Sequence, residues 1–238
     1  MKVLGIIPAR FGSSRFPGKP LIDIKGKTMI QRVYEGASRC EELSKVIVAT
    51  DDERIYQHVR SFGGEVMMTL STHVSGTERC GELAALYPEM DVILNIQGDE
   101  PLVDPRQLSL LIQAFQSDEV QIATLVTKNI ERADLDNPNR IKVVVNHKND
   151  ALLFSRSAIP SLKFSSNFSP LRHIGLYAYR TTILKELIKL PVTELETCES
   201  LEQLRWLYFG YPIRTIETDI ETPNIDVPED LDLVLRLL

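Results

Sequence analysis

Cysteine is scarce in this chain. Among 238 residues there are three, Cys40, Cys80 and Cys198, and none lies in a C-x-x-C pair. A scattered, odd set excludes a disulfide framework and a cysteine zinc site, and leaves three reduced thiols. Long apolar runs are also missing. Nothing approaches the roughly 20 residues that span a bilayer, so no membrane partner is expected. The first ten residues, MKVLGIIPAR, are apolar only as far as Pro8 and contain no small-residue cleavage site. They read as a first buried strand rather than a signal peptide, which predicts a cytoplasmic protein. Positive charge is in deficit, with 27 Lys and Arg against 33 Asp and Glu and a net charge of −6. A chain this acidic is a poor general binder of nucleic acid. The Walker sequence G-x-x-x-x-G-K-[ST] and the dinucleotide sequence G-x-G-x-x-G are absent. So are internal repeats, low-complexity tracts and any stretch that reads as a linker.

The length and the 43% hydrophobic content suit one large α/β domain, taken as residues 1–238. Val3–Ile7 is a short apolar run, as in a strand buried on both faces. Similar runs follow at Lys45–Ala49, Glu65–Met68 and Val92–Ile96. Between them, Thr28–Arg39, Glu53–Ser61 and Gly76–Leu86 have helical patterning, and Pro105–Gln116 starts a fourth helix with proline. Asp52 is placed to cap its helix, and Gly63-Gly64 to stop it. Strand and helix alternate about five times, which predicts a mostly parallel, Rossmann-like sheet flanked by helices. In such sheets ligands bind at the carboxyl ends of the strands. The polar loops at 8–20, 50–52 and 97–101 should therefore meet at one edge.

The second half is patterned differently. Ile122–Thr127, Ile141–Asn146, Ala151–Ser155 and Ile174–Tyr179 read as strands with few helices between them, predicting a mixed or antiparallel extension over roughly 125–190. The polar stretch 161–170 is the candidate mobile loop. Glu199–Phe209 reads as one helix, and a last helix follows Pro228.

Three segments carry chemistry by themselves. In IPARFGSSRFPGKPL (Ile7–Leu21), Gly12 and Gly18 allow close backbone approach, Ser13 and Ser14 offer hydroxyls, and Arg10, Arg15 and Lys19 add positive charge. A glycine-rich loop between strand and helix converges free N–H groups on an anion, so this loop is a candidate polyphosphate cradle. The patch from 10 to 27 has five basic residues against Asp23 alone, which on an acidic protein points to a small anionic ligand. In NIQGDEP (Asn95–Pro101), Asp99 and Glu100 follow an apolar strand, where a hard cation such as Mg²⁺ finds a carboxylate beside substrate phosphates. In NIDVPEDL (Asn224–Leu231), Glu229 and Asp230 suit a helix start, whereas Asp226 precedes the helix and is the better ligand candidate. Four further segments place polar groups beside apolar elements: HVSGTER (His73–Arg79), FSRSAIP (Phe154–Pro160), RHIGLYAYR (Arg172–Arg180) and ESLEQLR (Glu199–Arg205).

Taken in order, these segments resemble the 3-deoxy-manno-octulosonate (Kdo) cytidylyltransferases over nearly the whole chain, from Ile7 to about Leu231. The first segment alone resembles the wider cytidylyltransferases, including those for sialic acid. The later ones resemble the Kdo branch. The resemblance implies a nucleotide-diphospho-sugar transferase-like fold and a reaction in which CTP and Kdo give CMP-Kdo and pyrophosphate for lipopolysaccharide synthesis. It implies that Arg10, Ser13, Ser14, Arg15 and Lys19 bind the CTP triphosphate, with Lys19 also catalytic, and that His73, Ser75 and Thr77 help hold the base. Asp99 and Asp226 match the pair that carries Mg²⁺. Gln97, Arg156, His173, Tyr177, Glu202 and Gln203 fall where the family holds the sugar acid, with an Arg forked onto its carboxylate. A homodimer is implied, with its interface in the 125–190 extension. Two positions depart from the family pattern. Glu78 replaces the usual Asp in SGTER, and Val227 replaces a Thr after Asp226. An 8-amino-Kdo or sialic acid enzyme is the alternative reading, and retention of Asp99, Asp226 and the basic loop disfavours a non-catalytic nucleotide-binding module.

Overall fold

A computed structural model describes residues 1–12, 16–164 and 168–238. The chain runs through β1 (Val3–Ala9), a short hairpin of β2 (Asp23–Ile24) and β3 (Lys27–Thr28), α1 (Met29–Ala37), β4 (Lys45–Thr50), α2 (Glu53–Ser61), β5 (Val66–Met68), α3 (Gly76–Leu86) and β6 (Val92–Asn95). It continues through α4 (Pro105–Ala114), β7 (Ile122–Thr127), α5 (Arg132–Leu135), β8 (Lys142–Val145), β9 (Ala151–Ser155) and β10 (Leu171–Arg180). The last elements are α6 (Thr181–Leu187), α7 (Glu194–Glu199), α8 (Gln203–Tyr208), β11 (Ile213–Glu217) and α9 (Leu231–Leu237).

One sheet has the order β11-β7-β10-β6-β1-β4-β5, with β8 joined to β10 and β9 to β8. Pairs β1·β4, β1·β6, β4·β5 and β11·β7 are parallel, while β10 is antiparallel to β6, β7 and β8. The strand order reverses at β1, with β4 on one side and β6 on the other. That is the switch point where an open α/β sheet leaves a crevice. The strand alternation explains the two cores. Val3, Ile7, Val46, Val48, Val92 and Leu94 face one layer with α1, α2 and α4. Leu4, Ile6, Ile47, Ala49 and Ile93 face the other, with α3, α6 and α8. Successive strand side chains point to opposite faces, so continuous apolar runs are what a doubly covered sheet needs.

The helix starts follow the caps. Thr28, Asp52, Ser75 and Asp104 each accept a backbone N–H from the first turn of α1, α2, α3 and α4. The second half differs from the expectation in three places. The helix expected over Glu199–Phe209 is shorter, α8 at Gln203–Tyr208, because Ser200 in the left-handed region (φ 50°) ends a preceding helix, α7, that carries no expectation from the sequence. The strands of the extension belong to the main sheet, through β10 and β7. Strand β11 carries no expectation from the sequence, yet it pairs in parallel with β7. The stretch 161–170 lies partly outside the described residues. Among the described residues no helix is long and apolar enough to cross a membrane.

Candidate functional site

The loops after β1 and β6 are packed together at the switch point. A Cβ on Gly98 would stand 2.7 Å from the Pro8 carbonyl oxygen, so only glycine lets the NIQGDEP turn approach β1 this closely. Gly18, at φ 72°, turns the basic loop back, and its N–H donates to the Phe11 carbonyl at 2.9 Å. Lys19 then points inward. Its Nζ donates to Asp99 Oδ2 at 2.8 Å and to the Ile225 carbonyl at 2.7 Å, and stands 3.8 Å from Asp226 Oδ1. The Asp99 and Asp226 segments are joined directly, since Ile225 N–H donates to the Asp99 carbonyl at 2.9 Å. Asp226 N–H and Val227 N–H both donate to Asp230 Oδ2, at 2.7 and 3.0 Å. Asp230 thus holds the turn and leaves Asp226 as the ligand candidate. Val227, which departs from the family pattern, takes part here through its backbone.

Two cavities open on this wall. The first, about 240 Å³, is lined by Arg10, Lys19, His73, Ser75 and Arg79. The second, about 720 Å³, is lined by Arg140, Arg172, His173 and Glu221. Gln97, Asp99 and Asp226 line both. An ammonium held between two carboxylates marks a place built for positive charge. The donors there are hard oxygens, the set Mg²⁺ prefers. Among the described residues no group of three or more His, Cys, Asp and Glu forms a metal cage. A two-carboxylate site completed by substrate oxygens fits that finding.

Of the residues expected to bind the nucleotide, His73, Ser75 and Thr77 lie in one network. His73 Nε2 is 2.5 Å from Glu82 Oε2, and its Nδ1 is 3.6 Å from Glu78. Glu78 accepts the Val74 N–H at 2.9 Å, so the longer side chain at this position reaches back and holds the loop. Ser75 and Thr77 donate to Glu202 at 3.0 and 2.7 Å. Burial pushes the Glu202 carboxyl up, against the pull of those two hydroxyls. Glu202 therefore touches the stretch expected to hold the base, although the resemblance puts it with the sugar. Ser13, Ser14 and Arg15 lie outside the described residues.

The residues expected to hold the sugar acid are less united. Gln97 donates to the Gly175 carbonyl at 2.9 Å and sits between the cavities. His173 faces the second cavity, with its ring against Phe154 and Tyr177 and its Nε2 2.9 Å from Thr124 Oγ1. Burial, aided by the Arg172 charge, depresses its pKa to about 3, so it is a neutral hydrogen-bonding group at pH 7. Tyr177 packs edge-on against Trp206, and Gln203 is buried at the start of α8. Arg156 stands apart. Its Nε, Nη1 and Nη2 donate to the carbonyls of Glu199, Pro138 and Ser200, at 2.6, 2.8 and 3.3 Å. Of the six residues expected to hold the sugar acid, Gln97 and His173 line a cavity, while Arg156, Tyr177, Glu202 and Gln203 line neither of the two.

Three further residues stand in these walls; Arg79 and Arg172 carry no individual assignment from the sequence, while Glu100 is offered there beside Asp99 as a carboxylate for a hard cation. Arg79 is buried in the first cavity's wall, bonded to Asp51 at 3.0 Å and to Thr69. Glu100 is buried beside Asp99; burial and that neighbouring charge push its pKa up to about 8, while Thr222 donates to it at 3.0 Å. Arg172 lies in the second cavity's wall. Arg79 and Arg172 stand in quoted segments, and a buried arginine that follows a strand or helix start was the available signal.

A family model for cytidylyltransferases matches residues 4–217. The 3-deoxy-manno-octulosonate cytidylyltransferase of Parabacteroides distasonis is 49% identical over 249 residues, covering 100% of this chain and 98% of that protein. A solved structure described as CMP:2-keto-3-deoxy-manno-octonic acid synthetase complexed with CTP superposes with a TM-score of 0.93 at 44% identity, covering 100% of this chain and 98% of that one. The 4-diphosphocytidyl-2C-methyl-D-erythritol synthase of Anaerococcus prevotii shares the fold, with a TM-score of 0.67 at 14% identity over 99% of this chain and 97% of that one.

Proposed function

This chain belongs to the cytidylyltransferase family, among the 3-deoxy-manno-octulosonate cytidylyltransferases, and on that premise we propose that it transfers CMP from CTP to the anomeric hydroxyl of Kdo, releasing pyrophosphate. The observation that carries the reading is the cation position between Asp99 and Asp226, on the wall shared by two cavities. A nucleotide in the first cavity and a sugar acid in the second would meet there.

The triphosphate lies along the basic loop, with Arg10, Arg15 and Lys19 as counter-charges and the Ser13 and Ser14 hydroxyls as donors. His73, Ser75 and Thr77 hold the base side, and Glu202 braces the last two. Asp99 and Asp226 would hold Mg²⁺, which when bound would neutralise charge at the reacting phosphate. Lys19 then exchanges its carboxylate partners for the leaving pyrophosphate. Transfer at phosphorus depends mainly on positioning and charge neutralisation, so the chain needs no nucleophile of its own. Gln97 and His173 position the sugar, with Tyr177, Arg156, Glu202 and Gln203 supporting that side from behind the cavity wall. We place the chain in the cytoplasm, as a homodimer joined through 125–190. Exposed Leu152, Phe164 and Phe168 support that face, and a sedimentation mass of two chains tests it.

The test of function is pyrophosphate release from CTP and Mg²⁺ with Kdo, 8-amino-Kdo and sialic acid in parallel. Release fastest with Kdo is expected. Release with sialic acid and not Kdo, or with none of the three, overturns the reading.

A further inference from the structure

The second cavity is rich in carboxylates: Asp99, Glu100, Glu221, Asp226 and Asp230 all line it. An acidic sugar cannot enter such a place without a counter-charge. The arginines on its wall are Arg140 and Arg172. Arg140 is half exposed and leans on Asp134 at 3.6 Å. Arg172 is buried on β10. Its Nη2 pairs with Glu221 Oε1 at 2.5 Å, while its Nε is buried with no hydrogen-bond partner among the described residues.

An unpaired buried N–H on a charged group is costly and uncommon. It marks a guanidinium whose fork is half used. Its one carboxylate partner, Glu221, is itself 41% exposed, on the stretch that follows β11. In a 2-keto acid sugar the carboxyl carbon is bonded directly to the anomeric carbon. The carboxylate therefore comes close to the attacking hydroxyl and to the wall of Asp99 and Asp226. Arg172 is within electrostatic reach of Glu100, next to Asp99.

We propose that Arg172 selects the sugar acid by its carboxylate, which lies side-on across Nε and Nη2, and that Glu221 holds Nη2 as an internal stand-in until the sugar displaces it. The inference rests on the function proposed above. It makes Glu221 a competitor of the substrate, a role that a structural ion pair would not have. A planar fork also gives lysine no way to replace arginine.

The experiment compares wild type, Arg172→Lys, Arg172→Met and Glu221→Gln for the KM of Kdo, with equilibrium CTP binding as the check on folding. Arg172→Met and Arg172→Lys should raise the sugar KM about tenfold or more, the usual effect of losing a charged hydrogen bond, and leave CTP affinity unchanged. Glu221→Gln should lower the sugar KM. Should the Arg172 variants fail to bind CTP, and so to fold, Glu221→Gln decides alone. An unchanged sugar KM in Arg172→Met overturns the proposal, as does a sugar KM raised by Glu221→Gln. Wild-type protein that releases no pyrophosphate with any acidic sugar overturns the function and this proposal together. An active wild type with unaffected Arg172 variants overturns this proposal alone.

Discussion

The two sides of the site are built by different means. On the nucleotide side, parallel strands end in loops, and each loop delivers its polar residues to the switch point: Lys19 after β1, Ser75 before α3 and Asp99 after β6. On the sugar side, β10 runs antiparallel to β6, and its polar residues lie within the strand itself. Arg172 and His173 are neighbours in sequence with different surroundings, one beside Glu221 and the other against Phe154 and Thr124. A loop advertises its role by composition. A polar residue inside a buried strand does so only by being out of place in an apolar run.

The comparison makes the shared wall the most sensitive point. Asp99→Asn and Asp226→Asn should each lower the turnover of pyrophosphate release by about two orders of magnitude or more. CTP should still bind in the first cavity, as read by equilibrium titration. Lys19→Ala should act on one side only. We expect a higher KM for CTP and a kcat lower by about tenfold to a hundredfold, with the sugar KM unchanged, because the leaving pyrophosphate loses its counter-charge. A changed sugar KM alone would move Lys19 to the other side.

The sugar side should also show in the pH dependence of folding. His173 is depressed to about 3 in the fold, against 6.5 in the open chain. Between those values the unfolded chain takes up a proton that the folded chain refuses, so stability is lost as pH falls below 6.5 and none of this contribution is lost above it. Its share approaches about 1.4 kcal/mol per pH unit. Urea unfolding of His173→Gln between pH 6.5 and 4.5 should show a shallower slope than wild type. A more local effect is expected at Arg156. Arg156→Lys loses the fork that spans three carbonyls and should cost about 1–3 kcal/mol of folding stability. The smallest effect belongs to the matching change in the first half, Arg106→Lys in an exposed pair with Asp104, which should leave the urea midpoint unchanged.

Legibility in the sequence followed the same division. The β1-to-α4 alternation and the Asp52 cap were readable, because apolar runs and cap residues are local signals; the pairing of Asp99 with Asp226 came from the resemblance, and the contact of Lys19 with both came only from the structure. Helix α7 and the late start of α8 were not readable, since α7 buries no residue that would give it an apolar stripe and a left-handed Ser200 carries no glycine to announce the break. Strand β11 was missed because IRTIE is five residues long and sets two adjacent polar residues between its two isoleucines, so it shows neither an apolar run nor an alternation. The bracing of Ser75 and Thr77 by Glu202 joins residues distant in the chain, and no periodicity reports such a contact.

The central claim is that one cation position on a shared wall serves both cavities. The most direct measurement is a crystal structure with CTP, an unreactive sugar acid and Mn²⁺, with the metal located by its anomalous signal. The account predicts a metal peak between Asp99 and Asp226, the nucleotide beside Arg10 and Lys19, and the sugar acid in the cavity of His173 and Arg172. A metal bound elsewhere, or both ligands on the same side of Gln97, would contradict it.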